Sequence, residues 1–393
     1  MDGMKTAEKI NLCMSYIEKK LISGKTDLIY DHVVCGNEGS FPTENECRES
    51  YPNPEGYGTG MEDCMISGAT MLDGLITMYE RTESSDAARL ASRIANGMLK
   101  SAESAESPGF IPRGVSPSDG KSHYIDSSID QYTLFVFGMH RYFNSVLCTR
   151  DDKTRIKNIA AALAERALKN VTKENNYDIL RDDGGTTLCG QFWNNNTNHE
   201  KMRLPMIYAF AWETSKDSKF LKKYEEKIYE AIEKSLPMTS YWHLYAIHQM
   251  QVSLKVCYDI ETDSKRKAAL LNIMCKAAEY TADVSDNVRA QLKDAFKYNL
   301  PQISFRNCEM KHDGRFSAMN VPNDLIPIRA DNPDYWTLQD AAIVSIVCGL
   351  VPDTEIPRKA LELLNEGFDK IDFKIHQRSL PVQFFAAFCR TEI

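Results

Sequence analysis

The chain has 393 residues, of which 43% are hydrophobic and 26% are charged, and its formal net charge is −8 at pH 7. This composition is typical of a soluble globular protein with a large core. The negative charge argues against nucleic acid or an anionic membrane as the main partner, and no apolar run approaches the roughly 20 residues that a membrane span needs.

The first predicted element is an amphipathic helix, with acidic and polar residues where a signal peptide would be apolar. We therefore expect a cytoplasmic protein, or a periplasmic or secreted one whose leader is removed before this numbering begins. The 11 cysteines are scattered without a CxxC pair or ligand-like spacing, which indicates buried free thiols and no metal site. No GxGxxG or GxxxxGK[ST] motif is present, so we expect no cofactor.

Apolar residues recur at steps of three and four along most of the chain, and β-branched alternation is nearly absent. This period predicts an all-α protein. The predicted helices are 6–23, 62–81, 86–102, 129–145, 153–169, 202–214, 217–235, 241–259, 264–281, 286–297, 337–350, 357–369 and a shorter one at 380–390.

The predicted helices come in pairs that are joined by short polar breaks, and each break contains a candidate N-cap residue. These candidates are Ser85, Thr149, Ser215 and Thr262. The connections between pairs are longer and rich in glycine, proline, asparagine and aromatic residues; they are 24–61, 103–128, 171–200 and 298–336. Short turns at one end and long loops at the other predict a closed ring of helical hairpins, since an open solenoid would need stricter repeats and polar end caps.

The long loops and the helix starts beside them concentrate carboxylates, aromatic rings, asparagine and histidine. The candidate residues are Tyr57, Glu62, Asp63, Arg113, His123, Asp126, Asp130, Asp182, Asp183, Trp193, His199, Arg203, Trp242, His243, Tyr335 and Trp336. Flat rings stack on the apolar face of a pyranose, while amides and charged groups bind its hydroxyls. The pattern therefore predicts a sugar-binding site at one end of the ring.

Structural roles compete with this interpretation at several positions. Glu62 and Asp63 stand in the first turn of a helix, where the helix dipole favours a carboxylate as a cap. The sequence RDDGG, which contains Asp182 and Asp183, is typical of a turn. His243 and His248 are five residues apart, so they do not share a helix face as a metal-binding pair would.

With these loops the chain resembles the six-hairpin (α/α)6 glycosidases, in particular the unsaturated glucuronyl and rhamnogalacturonyl hydrolases. The segment EDCMISGATMLDGLITMYERTESSDAARLASRIANGML resembles their first hairpin, and YIDSSIDQYTLFVFGMHRYF resembles the start of the second. KMRLPMIYAFAWETSKDSKFLKKY and DYWTLQDAAIVSIVCGL are similar to later inner helices. The resemblance covers roughly residues 60–370 and implies one (α/α)6-toroid domain over residues 1–393.

The resemblance implies roles for two carboxylates, and the mechanism suggests a role for a third. Asp63 matches the first carboxylate of the family and Asp126 the second, which is the general acid. Asp130 lies one turn further on, where the family often has an amide, and would raise the pKa of Asp126 as its neighbour. Two positions depart from the family: Glu62 stands where these hydrolases tend to have a histidine, and of the family's run in a later helix only Arg203 is kept.

The leading hypothesis is a glycoside hydrolase that acts on an oligosaccharide by carboxylate acid/base catalysis. If the sugar contains a uronic acid, Arg113 or Arg203 would bind its carboxylate. A polysaccharide lyase on the same toroid would use Tyr124, His123 or His199 as its base, and a sugar epimerase would use His243 and His248. A non-catalytic glycan-binding protein is the remaining alternative, and the sequence leaves the oligomeric state open.

Overall fold

The structure is a computed structural model that describes residues 4–193, 198–236, 238, 243–294, 305–307, 333–374 and 379–391. Its helices are α1 (Thr6–Tyr16), α2 (Glu44–Arg48), α3 (Cys64–Thr82), α4 (Ser85–Glu103), α5 (Ile129–Asn144), α6 (Arg150–Asn170), α7 (Arg203–Ser215), α8 (Ser218–Ser235), α9 (Leu244–Ile260), α10 (Ser264–Asp283), α11 (Ser285–Asp294), α12 (Pro333–Gly349), α13 (Arg358–Asp369) and α14 (Leu380–Cys389). Within these ranges, β-structure is limited to three isolated bridges. The predicted all-α class is confirmed.

Six helices form a closed inner ring. In the order α3, α5, α7, α9, α12 and α14, each helix packs against the next, and α14 packs back onto α3. Six more helices surround this ring: α4 packs on α3, α6 and α8 on α7, α10 on α9 and α12, α13 on α12, and α1 on α14. The chain alternates between the two layers, so the fold is an (α/α)6 toroid, as predicted.

The two layers differ in sequence because they differ in how much of each helix is covered. All ten residues of α14 are buried, and its sequence LPVQFFAAFC is apolar almost throughout. The outer helix α8 buries five of its 18 residues, at steps of three and four, and exposes lysines and glutamates on its other face. The hydrophobic period therefore locates both layers, while the number of buried positions distinguishes them.

The helix caps correct the prediction in detail. Thr149 caps α6 as expected, because its side chain accepts from the backbone N–H of Asp152. The other three caps were predicted one or two residues away from their actual positions, which are Ser84, Asp217 and Asp263. In each case the chosen side chain is the one whose oxygen reaches an unpaired backbone amide two or three residues ahead.

Three further properties concern the described residues as a whole. The ten cysteines among them are free thiols, six of them buried. None of the helices is both long enough and apolar enough to cross a membrane. No group of three or more His, Cys, Asp or Glu side chains in the described ranges could hold a metal ion.

Candidate functional site

A cavity of about 300 Å³ lies at the end of the toroid where the inner helices begin. Five of these helices supply a residue from their first turn or N-cap position to its wall: Asp63, Ser128, Tyr245, Trp336 and Ser379. This volume is at the lower end of the range for small-molecule sites. The long loops expected at this end do contribute, since Tyr57, Arg113 and Cys189 complete the wall.

The remaining wall residues are polar side chains with a few apolar ones between them. They are Asp31, Ile66, Ser67, Thr70, Asp130, Leu134, His248, Gln249, Gln339, Ile343 and Gln383. Tyr57, Tyr245 and Trp336 contribute aromatic rings. Tyr245 and Trp336 are each 41% exposed, with ring centroids 6.5 Å apart. Exposed rings beside carboxylates and amides form a surface with both apolar and hydrogen-bonding character.

Asp63 is the carboxylate at the centre of this arrangement. It occupies the N-cap position of α3, and its side chain is 39% exposed. Its Oδ1 accepts from Nε2 of Gln131 at 2.8 Å and lies 3.7 Å from Nη1 of Arg113. Burial in the cavity raises the pKa of Asp63 to about 6; Arg113 opposes this shift, and the nearby charges of Glu62 and Asp130 reinforce it.

Asp31 lies beside Asp63 and was not predicted. Its Oδ2 accepts from the backbone N–H of Asp63 at 2.9 Å, and its Oδ1 accepts from Oγ of Ser379 at 2.9 Å. Burial, the charge of Asp63 and that of Glu62 raise the pKa of Asp31 well above its usual range. Asp31 therefore connects the starts of α3 and α14, the first and last helices of the inner ring.

Asp130 lines the cavity from the first turn of α5. Its Oδ1 lies 2.5 Å from Nη1 of Arg203, which is 1% exposed and therefore sits behind the wall. Arg203 also lies 3.9 Å from Glu200. The carboxyl group of Asp130 is thus bound to a buried guanidinium group, a charge-assisted contact.

Arg113 is held in place by the protein on several sides. It is 7% exposed, its Nη2 lies 2.5 Å from Oε1 of Glu55, and its Nη1 donates to the backbone carbonyl of Glu62 at 3.3 Å. The carboxylate of Glu62 accepts from the backbone N–H groups of Gly58 and Gly60, both of which have positive φ values. Glu62 is 6% exposed, so it shapes the first loop instead of facing the cavity.

Asp126, expected to face the substrate as the general acid, is not among the residues that line the cavity. It is 3% exposed, its Oδ1 accepts from the backbone N–H of Ser127 at 2.8 Å, and its Oδ2 accepts from that of Leu188 at 3.1 Å. Burial, and then the charge of Glu55, raises its pKa to about 6. With both oxygens bound to backbone amides, Asp126 ties two long loops together; Asp130, one turn later, reaches the cavity.

Three expected substrate ligands of the second and third loops lie outside the cavity wall, namely His123, Asp182 and Asp183, whereas Arg113 lines it. His123 pairs with Asp182, with 3.1 Å between Nε2 and Oδ2, and Asp182 also accepts from the backbone amides of residues 106–107. Asp183 pairs with Arg181 and its side chain is 43% exposed. These contacts hold the loops in shape, so the turn interpretation of RDDGG describes them better than substrate binding.

Trp193 and His199 are also placed differently from the expectation. Trp193 is 5% exposed, and the ammonium groups of Lys201 and Lys227 lie 4.7 and 4.6 Å from its ring centroid. His199 lies near Arg203, and burial together with that positive charge lowers its pKa to about 4. Neither residue belongs to the cavity wall.

The bases suggested for a lyase and the pair suggested for an epimerase do not converge. Tyr124 is 2% exposed and donates to the backbone carbonyl of Tyr51. His243 is exposed and stacks on Tyr245, with centroids 6.2 Å apart. His248 alone lines the cavity, where burial lowers its pKa to about 4. Trp242 and the side chain of Tyr335 lie outside the described residues.

Several residues of the cavity wall were missed by the sequence analysis, and the sequence contained a usable signal for only some of them. Asp31 lies in an irregular segment without periodicity, so only its fold-level contacts reveal it. Gln339 and Gln383 are polar residues inside apolar inner helices, which is a detectable pattern. The amide oxygens of Gln249 and Gln339 accept no hydrogen bond from the residues that the structure describes. Both oxygens are buried, so they lie beneath the surface of the cavity wall.

Comparisons with known proteins complete the description. No family model and no curated protein sequence matches the chain. A sugar epimerase from a ruminal bacterium is 11% identical, with 92% of this chain and 86% of that chain covered and a TM-score of 0.45. The GH76A alpha-1,6-mannanase from Salegentibacter sp. HEL1_6 is 12% identical, with 98% of both chains covered and a TM-score of 0.43.

A third similar structure is cellobiose 2-epimerase from Spirochaeta thermophila DSM 6192, which is 9% identical, with 93% of this chain and 84% of that chain covered and a TM-score of 0.43. At such values the identification of the toroid rests on the helix packing described above. The chemistry of the cavity rests on its own side chains.

Proposed function

We propose that the protein is a glycoside hydrolase that acts on an oligosaccharide, with Asp63 as the general acid and Asp130 as its ionised partner. The observation that carries this proposal is that two carboxyl groups in one aromatic-walled cavity have different surroundings. Among the described residues, the one cationic side chain within 4 Å of the Asp63 carboxyl group is Arg113, at 3.7 Å, whereas Asp130 is paired with Arg203 at 2.5 Å. Pairs of carboxyl groups with such contrasting environments are how hydrolases divide acid and base roles.

The division of roles follows from the requirements of glycoside hydrolysis. One carboxyl group must carry a proton to the leaving oxygen, and a second, ionised one must stabilise the positive sugar ring and activate water or attack the anomeric carbon. A pKa of about 6 keeps a usable fraction of Asp63 protonated near neutral pH. Its 39% exposed side chain can reach a bound sugar, which the 3% exposed Asp126 cannot.

The rest of the wall is suited to hold the sugar. Tyr57, Tyr245 and Trp336 offer flat apolar faces to a pyranose ring. The side-chain amides of Gln249 and Gln339 offer hydrogen bonds to hydroxyls. This combination supports a carbohydrate over an apolar ligand, because burying these amides and carboxylates against hydrocarbon would leave them unpaired.

The test is a screen of oligosaccharides for released reducing ends, followed by Asp63→Asn. General acid catalysis contributes about 10²–10⁴-fold, so turnover should fall by that factor while sugar binding and folding are kept. Asp183→Asn is the matched control, because Asp183 is an exposed acid outside the cavity. If Asp63→Asn retains full turnover while Asp126→Asn folds but is inactive, the acid role belongs to Asp126 and the assignment to Asp63 is wrong.

A sugar epimerase is the second candidate, and His248 is the observation that favours it. With a pKa near 4 the imidazole is neutral at pH 7, it lines the cavity, and its ring makes no hydrogen bond to the described residues. A neutral imidazole in that position could remove a proton from a sugar carbon. The protein would then interconvert sugar isomers without cleaving the glycosidic bond, and His248→Gln would stop this reaction, as followed by NMR of the products.

A further inference from the structure

The charges around the cavity are unequal. Among the described residues that line it, three carry carboxyl groups, Asp31, Asp63 and Asp130, while Arg113 is the one guanidinium group. His248 adds no positive charge at pH 7, because burial lowers its pKa to about 4. Even when Asp31 and the proposed acid Asp63 both hold their protons, the carboxylate of Asp130 faces a bound ligand.

The guanidinium groups near the cavity already form ion pairs with carboxylates of the protein. Arg113 is paired with Glu55 at 2.5 Å and lies 3.7 Å from Asp63. Arg203 is paired with Asp130 at 2.5 Å and is 1% exposed. A ligand carboxylate that took either guanidinium would leave a protein carboxylate without its partner in a buried site, which is strongly unfavourable.

The hydrogen-bonding character of the wall points the same way. The carboxylates of Asp63 and Asp130 line the cavity and are acceptors. A sugar hydroxyl can donate to such groups. An ionised carboxylate cannot, since it is an acceptor only.

We propose that the sugar bound in this cavity is uncharged and that the wall carboxylates exclude uronic acids. This inference rests on the proposed hydrolase and narrows its substrate class. It replaces the expectation that Arg113 or Arg203 binds the carboxylate of a uronide. A like charge placed beside buried carboxylates weakens binding, and we expect a loss of about 100-fold relative to the neutral sugar.

The test uses matched pairs of ligands with the full-length wild-type chain. Linear oligosaccharides of glucose, mannose and galactose are each compared with the same oligosaccharide after oxidation of its C6 hydroxymethyl groups to carboxylates, and binding is measured by calorimetry. We expect at least one neutral oligosaccharide to bind and its oxidised form to bind about 100-fold more weakly. Equal or tighter binding of an oxidised form, or no binding of any neutral member, would overturn the inference.

A charge variant tests the cause of the selectivity. In Asp130→Asn, Arg203 keeps its charge and loses its partner. The penalty for the oxidised ligand, which is the ratio of its Kd to the Kd of the neutral oligosaccharide, should therefore shrink by about tenfold. Asp183→Asn removes the same charge outside the cavity and should leave the penalty unchanged. An unchanged penalty in both variants would mean that the cavity charge does not select the substrate.

Turnover measured in parallel separates the two proposals. Hydrolysis of an oxidised oligosaccharide in preference to its neutral form would contradict the inference and leave the hydrolase intact. Selective binding of a neutral sugar without any cleavage would contradict the hydrolase and leave the inference about charge standing.

Discussion

Two aspartates on the same inner helix have opposite surroundings. Asp63 stands at the N-cap of α3, 39% exposed, with Arg113 3.7 Å away. Asp73 lies in the middle of α3 and its side chain is 3% exposed. Its Oδ1 accepts from Nε of Arg141 at 2.9 Å, and its Oδ2 accepts from Nε of Arg390 at 3.2 Å. Burial alone would raise the pKa of Asp73, yet the two guanidinium groups lower it.

Pairing, more than burial, therefore decides what a carboxylate in this toroid does. Asp73 uses both oxygens to join α3 to α5 and to the residue after α14, so it has a structural role. Asp63 keeps part of its surface in the cavity and holds its proton more tightly than an ordinary aspartate. Two residues of the same type, ten positions apart, therefore differ in their pairing: Asp73 is held in a structural ion-pair network, and Asp63 is available for the acid role that we propose.

The largest expected effect comes from Asp63→Asn. Turnover should fall by about 10²–10⁴-fold while the melting temperature stays close to that of the wild type, because the amide keeps the size of the side chain and its contact with Gln131. Steady-state kinetics and thermal denaturation of the same preparation measure both quantities. A large drop in melting temperature would show that Asp63 contributes to stability as Asp73 does. The proposed difference in role between the two aspartates would then be wrong.

Asp73→Asn should give the reverse result. Removing one partner of a buried ion pair costs about 3–5 kcal/mol, and here two arginines lose their shared carboxylate. Folded protein at low temperature should retain its turnover. Denaturant unfolding at pH 7 measures the loss of stability.

The pH dependence of that loss has a defined sign. The folded state lowers the pKa of Asp73 below 3.8, so its contribution is present above pH 3.8 and is lost as the pH falls through the folded pKa. The stability difference between wild type and Asp73→Asn should therefore shrink in acid. A difference that grows below pH 3.8 would contradict the assignment of an ionised, paired Asp73.

A smaller effect is expected on the pH profile of turnover. Activity should fall as the pH rises past about 6, because the acid Asp63 then loses its proton. Gln131 donates to the ionised form of Asp63, so Gln131→Met should raise that pKa and move the descending limb to higher pH. The profile of kcat/KM against pH measures the shift.

The chain offers a matched control for this substitution. Gln251 is also a fully buried glutamine, and its Nε2 donates to the backbone carbonyls of Met274 and Val347. Gln251→Met should destabilise the protein to a similar degree and leave the pH profile where it was. If both variants move the limb equally, the effect is one of general packing and Asp63 is not the titrating acid.

The smallest expected effect concerns the aromatic wall. Trp336→Ala should weaken sugar binding by about three- to tenfold, the range expected for the loss of one aromatic contact, with little change in kcat. Tyr229, which is 63% exposed on the outer helix α8, provides the comparison, and Tyr229→Ala should leave KM unchanged. Equal KM values for wild type and Trp336→Ala would show that the ring does not contact the sugar.

The sequence predicts the fold well because helical period and burial are local signals. The inner helix α14 was predicted at 380–390 and spans Leu380–Cys389, and α5 was predicted at 129–145 and spans Ile129–Asn144. The short helix α2, Glu44–Arg48, was missed because five residues are too few to show a period. Cap positions were missed by one or two residues because several neighbouring Ser, Thr and Asp side chains compete for the same amides.

The site is harder to predict, because which loop carboxylates face the cavity depends on contacts between distant segments. Asp126 and Asp130 are four residues apart in the sequence, and Asp126 is covered partly through a contact with the backbone N–H of Leu188, 62 residues away. Asp31 gains its place from Asp63 and from Ser379, across 32 and 348 residues. Contacts between residues so far apart in the chain cannot be predicted from the local sequence pattern around either residue.

The contact between Asp31 and Ser379 has a consequence for the order in which the molecule is assembled in the cell. Ser379 and Gln383 complete the cavity wall, and α14 is the helix that joins α12 to α3. At typical ribosome speeds, on the order of 20–80 s of translation pass before these residues exist. The surface of α3 that packs against α14 must wait for its partner for most of that time, whereas α12 is made only about 30 residues earlier and waits on the order of seconds. The end of the molecule that carries the cavity is therefore finished last, and no fragment that stops before residue 379 can contain the complete wall.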